Sequence, residues 1–143
     1  MTEESDVLAT LEEYANAYCT KDTDRLMAIF DHGDNISLIG TGADELCSGQ
    51  AEIRSVFDRN FSEATATEFL WHWQHVIVSD NCAVVATTLT IHLDVDGESI
   101  KVPIRWTVTM VKRDNEWKWL HRHASSAAGS QEEGSAYPSE NGK

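Results

Sequence analysis

The sequence predicts an α+β fold, an antiparallel sheet with three N-terminal helices covering one face. Apolar residues first recur at helical spacing, at Val7–Tyr18 and again at Ile53–Phe61. From Thr67 to Ser126 the period changes to two. The period-two segments are joined by the turn signals SDN, DG and RDNE, which mark a meander of consecutive strands. Helices followed by antiparallel strands is the α+β order.

In chain order, the first helix places Val7, Leu8, Leu11, Tyr14, Ala15 and Tyr18 on one face, with Glu12, Glu13 and Asn16 on the other. Acidic residues crowd its start, where the helix dipole favours them. A second, short helix follows the capping residues Asp22 and Thr23 and buries Leu26, Ile29 and Phe30. DHGDN is a turn, ISLIG alternates like a strand, and TGADELCSG reads as a loop. The third helix carries Ile53, Val56, Phe57 and Phe61 on one side. Four long strands complete the domain, residues 1–126. The Ser/Gly/Glu-rich segment 127–143 reads as a flexible tail.

The turns set the expected register. A two-residue turn at Asp96–Gly97 pairs Leu89 with Ile104 and Ile91 with Val102. A turn at RDNE that keeps Lys112 opposite Trp117 pairs Val108 with His121 and Trp106 with His123. The inner face then carries Leu89, Ile104, Trp106, Val108, Met110, Trp117, Trp119, His121 and His123. The outer face carries Thr88, Thr90, Arg105, Thr107, Lys118 and Arg122. One bulge would invert part of this assignment. EFLWHWQHVIVS is in conflict with itself, because Phe69, Trp71 and Trp73 and the polar His72 and Gln74 cannot all be satisfied by one alternation. A bulge or a second buried surface resolves that.

A chain of 143 residues is one domain with room for a core. Its net charge of −13 repels phosphate backbones and acidic lipid surfaces, so neither nucleic acid nor membrane is an expected partner. No apolar run approaches a membrane span, and the acidic start MTEESDVLAT is no signal peptide. Cys19, Cys47 and Cys82 form neither a CxxC pair nor a disulfide framework, which points to a reducing cytoplasm.

The stretches LEEYANAYCTKDTDRLMAIF, ISLIGTGADE…SGQAEIRSVF and IRWTVTMVKRDNEWKWLHRHAS together resemble the nuclear transport factor 2-like superfamily, in its SnoaL-like, ketosteroid isomerase-like branch. The resemblance covers about residues 5–126. It implies a cone-shaped curved antiparallel sheet with the three N-terminal helices covering its concave face, a conical pocket between sheet and helices, and a homodimer formed through the sheet. It leaves the activity open, because this fold hosts isomerases, hydratases, cyclases, hydrolases and association modules. Against ketosteroid isomerase, the catalytic tyrosine falls on Tyr14, the carboxylate base on Gly40 and the oxyanion acid on Arg105. One residue of three is retained, and Asp44 or Glu45 is left as a substitute base.

His121 and His123 are the sharpest candidates, since an H-x-H pair on a strand puts two imidazoles on one face roughly 6–7 Å apart. That suits a proton-transfer pair better than a metal site, because no third ligand is placed beside them. Neither metal nor cofactor is expected. IGTGADE lacks the strand–glycine loop–helix signature of a phosphate site. Tyr14, His121 and His123 are therefore the expected catalytic residues. Tyr18, His72, Trp106, Met110 and Trp119 are expected to line a pocket for a small, mainly apolar molecule. The expected chemistry is proton transfer next to a carbonyl or addition of water. The competing expectation is a non-catalytic module that dimerises through the sheet.

Overall fold

The first two helices begin where the sequence supplies a side-chain acceptor for an unpaired backbone N–H. A computed structural model describes residues 2–138. Thr2 caps α1 (Glu3–Cys19), accepting from the Ser5 amide at 3.1 Å. Asp22 caps α2 (Thr23–Ile29), accepting from the Arg25 amide at 3.1 Å. At α3 (Gln50–Glu63) the cap position is Gly49, and Asp34 supplies the acceptor instead, taking the Gln50 amide at 3.1 Å.

The six strands are β1 (Ser37–Ile39), β2 (Leu46–Ser48), β3 (Thr65–Ser79), β4 (Cys82–Val95), β5 (Glu98–Arg113) and β6 (Glu116–Ser125). They form one sheet in the order β2-β1-β6-β5-β4-β3. The α+β class and the three covering helices agree with the sequence reading, but two details are corrected. The sheet is mixed, because β1 runs parallel to β6. A hairpin forces antiparallel pairing, and no hairpin links those two strands. The expected loop TGADELCSG also contributes β2, which pairs with β1.

The β4–β5 turn has φ of 51° at Asp96 and 85° at Gly97, the left-handed pair that the tightest hairpins require. It sets Leu89 opposite Ile104 and Ile91 opposite Val102, as expected.

Three bulges decide what faces inward, the first at Thr67 in β3, where Ala66 and Phe69 both come to lie inside. On β3, His72 and Trp73 together oppose the single residue Thr88. The displaced backbone of Trp73 is satisfied by neighbouring hydroxyls. Its carbonyl accepts from Thr87 Oγ1 at 2.9 Å and its amide donates to Thr88 Oγ1 at 3.1 Å. The bulge settles the conflict in this strand: Phe69 and Trp71 pack inward and Trp73 points out.

On β6, Trp119 pairs with Met110 and His121 pairs with Thr109, leaving Leu120 as an extra residue. The alternation slips by one there. Trp117 and Trp119 are buried before the slip, and Arg122 and Ala124 after it. Val108 therefore faces Arg122, and Trp106 faces Ala124. The expected inward placement of His121 and His123 is corrected: they lie outside, beside Thr109 and Thr107. The expected outward placement of Arg122 is corrected in the same way.

The core between helices and sheet is aromatic. Tyr14 stacks on Trp119 at 5.0 Å and meets Trp106 edge-on at 4.9 Å. Trp119 Nε1 donates to Thr10 Oγ1 at 2.9 Å, and Thr10 Oγ1 donates to the Val7 carbonyl at 2.7 Å. Residues 127–138 form neither helix nor strand, and the end of the expected tail, 139–143, lies outside the described residues. With Trp119 fully buried, Trp119→Ala is expected to cost about 3–5 kcal/mol, read from the shift of the urea unfolding midpoint.

Candidate functional site

A cavity of about 290 Å³ opens between the β1–β2 hairpin, α3 and the inner face of β4, β5 and β6. One wall is apolar and includes Ile91, Leu93, Val102 and Ile104. The polar side chains along it are Tyr18, Thr41, Glu45, Asn60, Glu63 and Arg122. A small cavity with an apolar body and a few converging polar groups is the usual form of a small-molecule site.

Glu45 enters because two glycines make room for it. A Cβ on Gly40 would lie 2.6 Å from Glu45 Oε1, and one on Gly42 would lie 2.9 Å from it. The hairpin then folds the carboxylate back on itself, with Gly42 N donating to Oε1 at 2.7 Å. Arg59, reaching from α3, donates to Oε2 at 3.1 Å and to Asp44 Oδ2 at 2.8 Å. The Glu45 carboxylate thus stands over Gly40, where a side chain on that residue would begin.

Arg122 enters because of the Leu120 bulge. Its Nη1 donates to the Tyr14 phenol oxygen at 3.2 Å, its Nη2 donates to the Ile39 carbonyl at 3.5 Å, and its plane lies 5.2 Å from the Trp106 ring centre. Burial pushes the Tyr14 phenol well above its ordinary value against the opposing pull of Arg122, so Tyr14 stays neutral. Burial also raises Tyr18, with Asn60 opposing it.

Of the residues expected at the site, Tyr18 lines the cavity. Tyr14, Trp106, Met110 and Trp119 are buried in the core beneath it, and Tyr14 meets its lining at Arg122, Tyr18 and Phe57. His72 is on the outer face, hydrogen-bonded through Nε2 to Thr90 Oγ1 at 2.9 Å. His121 and His123 are outside with ring centres 6.2 Å apart, and His121 Nδ1 is 2.7 Å from Ser37 Oγ. Among the described residues no group of three His, Cys, Asp or Glu side chains is arranged to hold a metal ion, and no helix is long and apolar enough to cross a membrane. Arg105 is exposed and donates to Ser125 Oγ at 3.2 Å, so the family's oxyanion position is not rebuilt by it. Arg122 was hidden in the sequence by the phase slip. The one signal was Leu120, an apolar residue on the wrong parity after Trp117 and Trp119.

A model of the SnoaL-like domain matches residues 7–129. The chain belongs to the SnoaL-like domain family. Among curated proteins, none matches it. Solved structures share the SnoaL-like fold. A proposed calcium/calmodulin-dependent protein kinase II association domain from Xanthomonas campestris is 21% identical, with a TM-score of 0.78 over 89% of each chain. A proposed dehydratase of the nuclear transport factor 2-like family from Streptomyces avermitilis is 19% identical, with a TM-score of 0.77 over 87% of this chain and 95% of its own. A ketosteroid isomerase-like protein from Erwinia carotovora is 17% identical, with a TM-score of 0.73 over 90% and 99%. At these identities the likeness is one of fold.

Two expectations follow for this SnoaL-like chain. Tyr14→Phe removes the shorter of Arg122's two hydrogen bonds and is expected to cost about 1.5–3 kcal/mol in urea unfolding, the range for a bond to a charged group. The His121 imidazole is held below its ordinary 6.5, first by burial and then by His123, with Ser37 opposing. The unfolded chain therefore binds a proton before the folded one does. Stability is level above about 6.5 and falls as pH drops from there toward the lowered folded value. Unfolding midpoints measured down through that window should show a shallower acid loss in His121→Gln than in the parent.

Proposed function

We propose that the cone holds a small, partly apolar carbonyl compound and that Glu45 exchanges a proton with the carbon beside the carbonyl, without a cofactor. The observation that carries this reading is the Glu45 carboxylate folded over Gly40 into a cavity whose other charged wall is Arg122. A carboxylate fixed by Gly42 and Arg59 keeps free lone pairs for a C–H proton, and its orientation costs no further ordering. When that proton moves to Glu45, negative charge spreads onto the carbonyl oxygen. The fixed field of Arg122, itself buried, favours that charge. Returning the proton to a different carbon completes an isomerisation. The resemblance of Tyr14 and Gly40 to catalytic positions in ketosteroid isomerase supports the class of chemistry and not the substrate.

The check is deuterium uptake from D2O by a panel of small ketones and keto acids, followed by proton NMR. Uptake in at least one compound is expected, with Glu45→Gln slowing it by roughly 10²-fold or more. Equal uptake in Glu45→Gln, or none anywhere in the panel, overturns the assignment.

A second reading concerns assembly and is compatible with the first. Trp73 is 59% exposed and Ile77 53% exposed, both on the outer face of β3 beside Leu70. Exposed large apolar side chains grouped on one long strand fit a partner better than water. The likeness to a proposed association domain favours a second copy as that partner. We propose a homodimer through this face. Sedimentation should give twice the 16.0 kDa of one chain, and Trp73→Asp should shift it to a single chain. A wild-type species of 16.0 kDa at micromolar concentration overturns it.

A further inference from the structure

The cone contains a positive charge that no carboxylate among the described residues neutralises. Arg122 is 8% exposed, and its Nε has no hydrogen-bond partner. Its only acceptors are a phenol and one backbone carbonyl at the limit of hydrogen-bond distance. Among the described residues, no Asp or Glu stands within ion-pair distance of it, although six other lysine and arginine side chains are so paired. Buried guanidinium groups are ordinarily matched by an anion, because an unmatched one is expensive to hold out of water. Of the two carboxylates on the cavity wall, Glu45 is committed to Arg59, and Glu63 is exposed at the end of α3.

We infer that Arg122 anchors the carboxylate of the ligand, so that the compound taken into the cone is a small monocarboxylate with an apolar body. The inference rests on reading the cone as a ligand site and narrows the carbonyl compound to an acid whose carboxylate takes the guanidinium fork, with the reacting carbonyl beside it in the same positive field. One guanidinium is the only cationic side chain on the cavity wall, which suits a single negative charge and not a phosphate dianion. Its planar fork matches a carboxylate. The apolar body has Ile91, Leu93, Val102 and Ile104 to pack against, and a cavity of about 290 Å³ restricts it to a small one. The chain's net charge of −13 repels anions in general, so any preference for one has to come from this local charge.

The test titrates benzoate and hexanoate, and their neutral amides benzamide and hexanamide, into the full chain by isothermal calorimetry. Arg122→Lys, Arg122→Gln and His123→Ala are run in parallel. At least one acid should bind roughly tenfold or more tightly than its amide. That advantage should shrink in Arg122→Lys, where the charge stays and the fork is lost, vanish in Arg122→Gln, and be unchanged in His123→Ala on the outer face. If Arg122→Gln does not fold, the lysine variant carries the comparison. Amides binding as well as acids, or an acid preference that survives in both Arg122 variants, overturns the inference while leaving the cone a ligand site. No binding of any of the four compounds overturns both.

Discussion

The ring of Tyr14 is the contact through which order passes from the helices to the cavity. Helix α1 fixes Thr10 by its own backbone, Thr10 fixes the Trp119 indole through Nε1, and Trp119 stacks on Tyr14 at 5.0 Å. Trp106 closes the other side of the same ring, and only then does the phenol oxygen meet Arg122. The Thr10 links are partly buried and the bond from Arg122 to Tyr14 is fully so, which limits competition from water. A guanidinium is a long, flexible group, and holding one in a single pose within an apolar cone needs a receiver that does not move. Burial supplies a second condition, keeping the phenol neutral so that the pair remains a hydrogen bond and not an ion pair.

The opposite wall is built on a different principle. There the sheet contributes two three-residue strands, and the polar group is placed by the turn between them. Glu45 closes the turn with its backbone, accepting from Gly40 N at 2.9 Å and donating to Gly42 O at 3.0 Å, while its side chain folds over the same two residues. Gly40 and Gly42 are glycines here because a methyl group would occupy the carboxylate's space. Arg59 then ties the hairpin to α3. The cation is set by core packing and the anion by a turn and an ion pair, so the two can be altered separately.

Much of this was legible in the sequence. Helical spacing around Tyr14 and Phe57 located two helices, Asp22 announced the third, and Asp96–Gly97 fixed the β4–β5 register residue by residue. These features are local, and local physics decides them. The parallel contact of β1 with β6 was not legible, because no turn connects those strands and pairing at a distance leaves no mark on either one. The site was legible on one side. Glu45 was already a candidate to replace the missing base, and the reason lay in the glycines beside it. Arg122 was read onto the wrong face, and the histidines flanking it onto the other, for a single cause: alternation carries no record of its own phase beyond an unpaired residue. Trp73 and the polar residues after it presented the same problem in β3. There the conflict was visible because aromatic and polar residues competed for one face.

The extra residue at Leu120 has a consequence for how such a pocket can diverge. It separates β6 into a packing half, with Trp117 and Trp119 locked into the core, and a half whose inward residues meet the cavity. Drawing Leu120 into regular pairing with Thr109 would exchange Arg122 for its histidine neighbours while leaving the tryptophans in place, whereas deleting Leu120 would keep Arg122 inside. A lineage could thereby replace a guanidinium with imidazoles through a change of register, without altering any codon that specifies the pocket. In a fold reused for so many chemistries, the gain or loss of a strand bulge is a route to new specificity that comparing aligned substitutions would overlook.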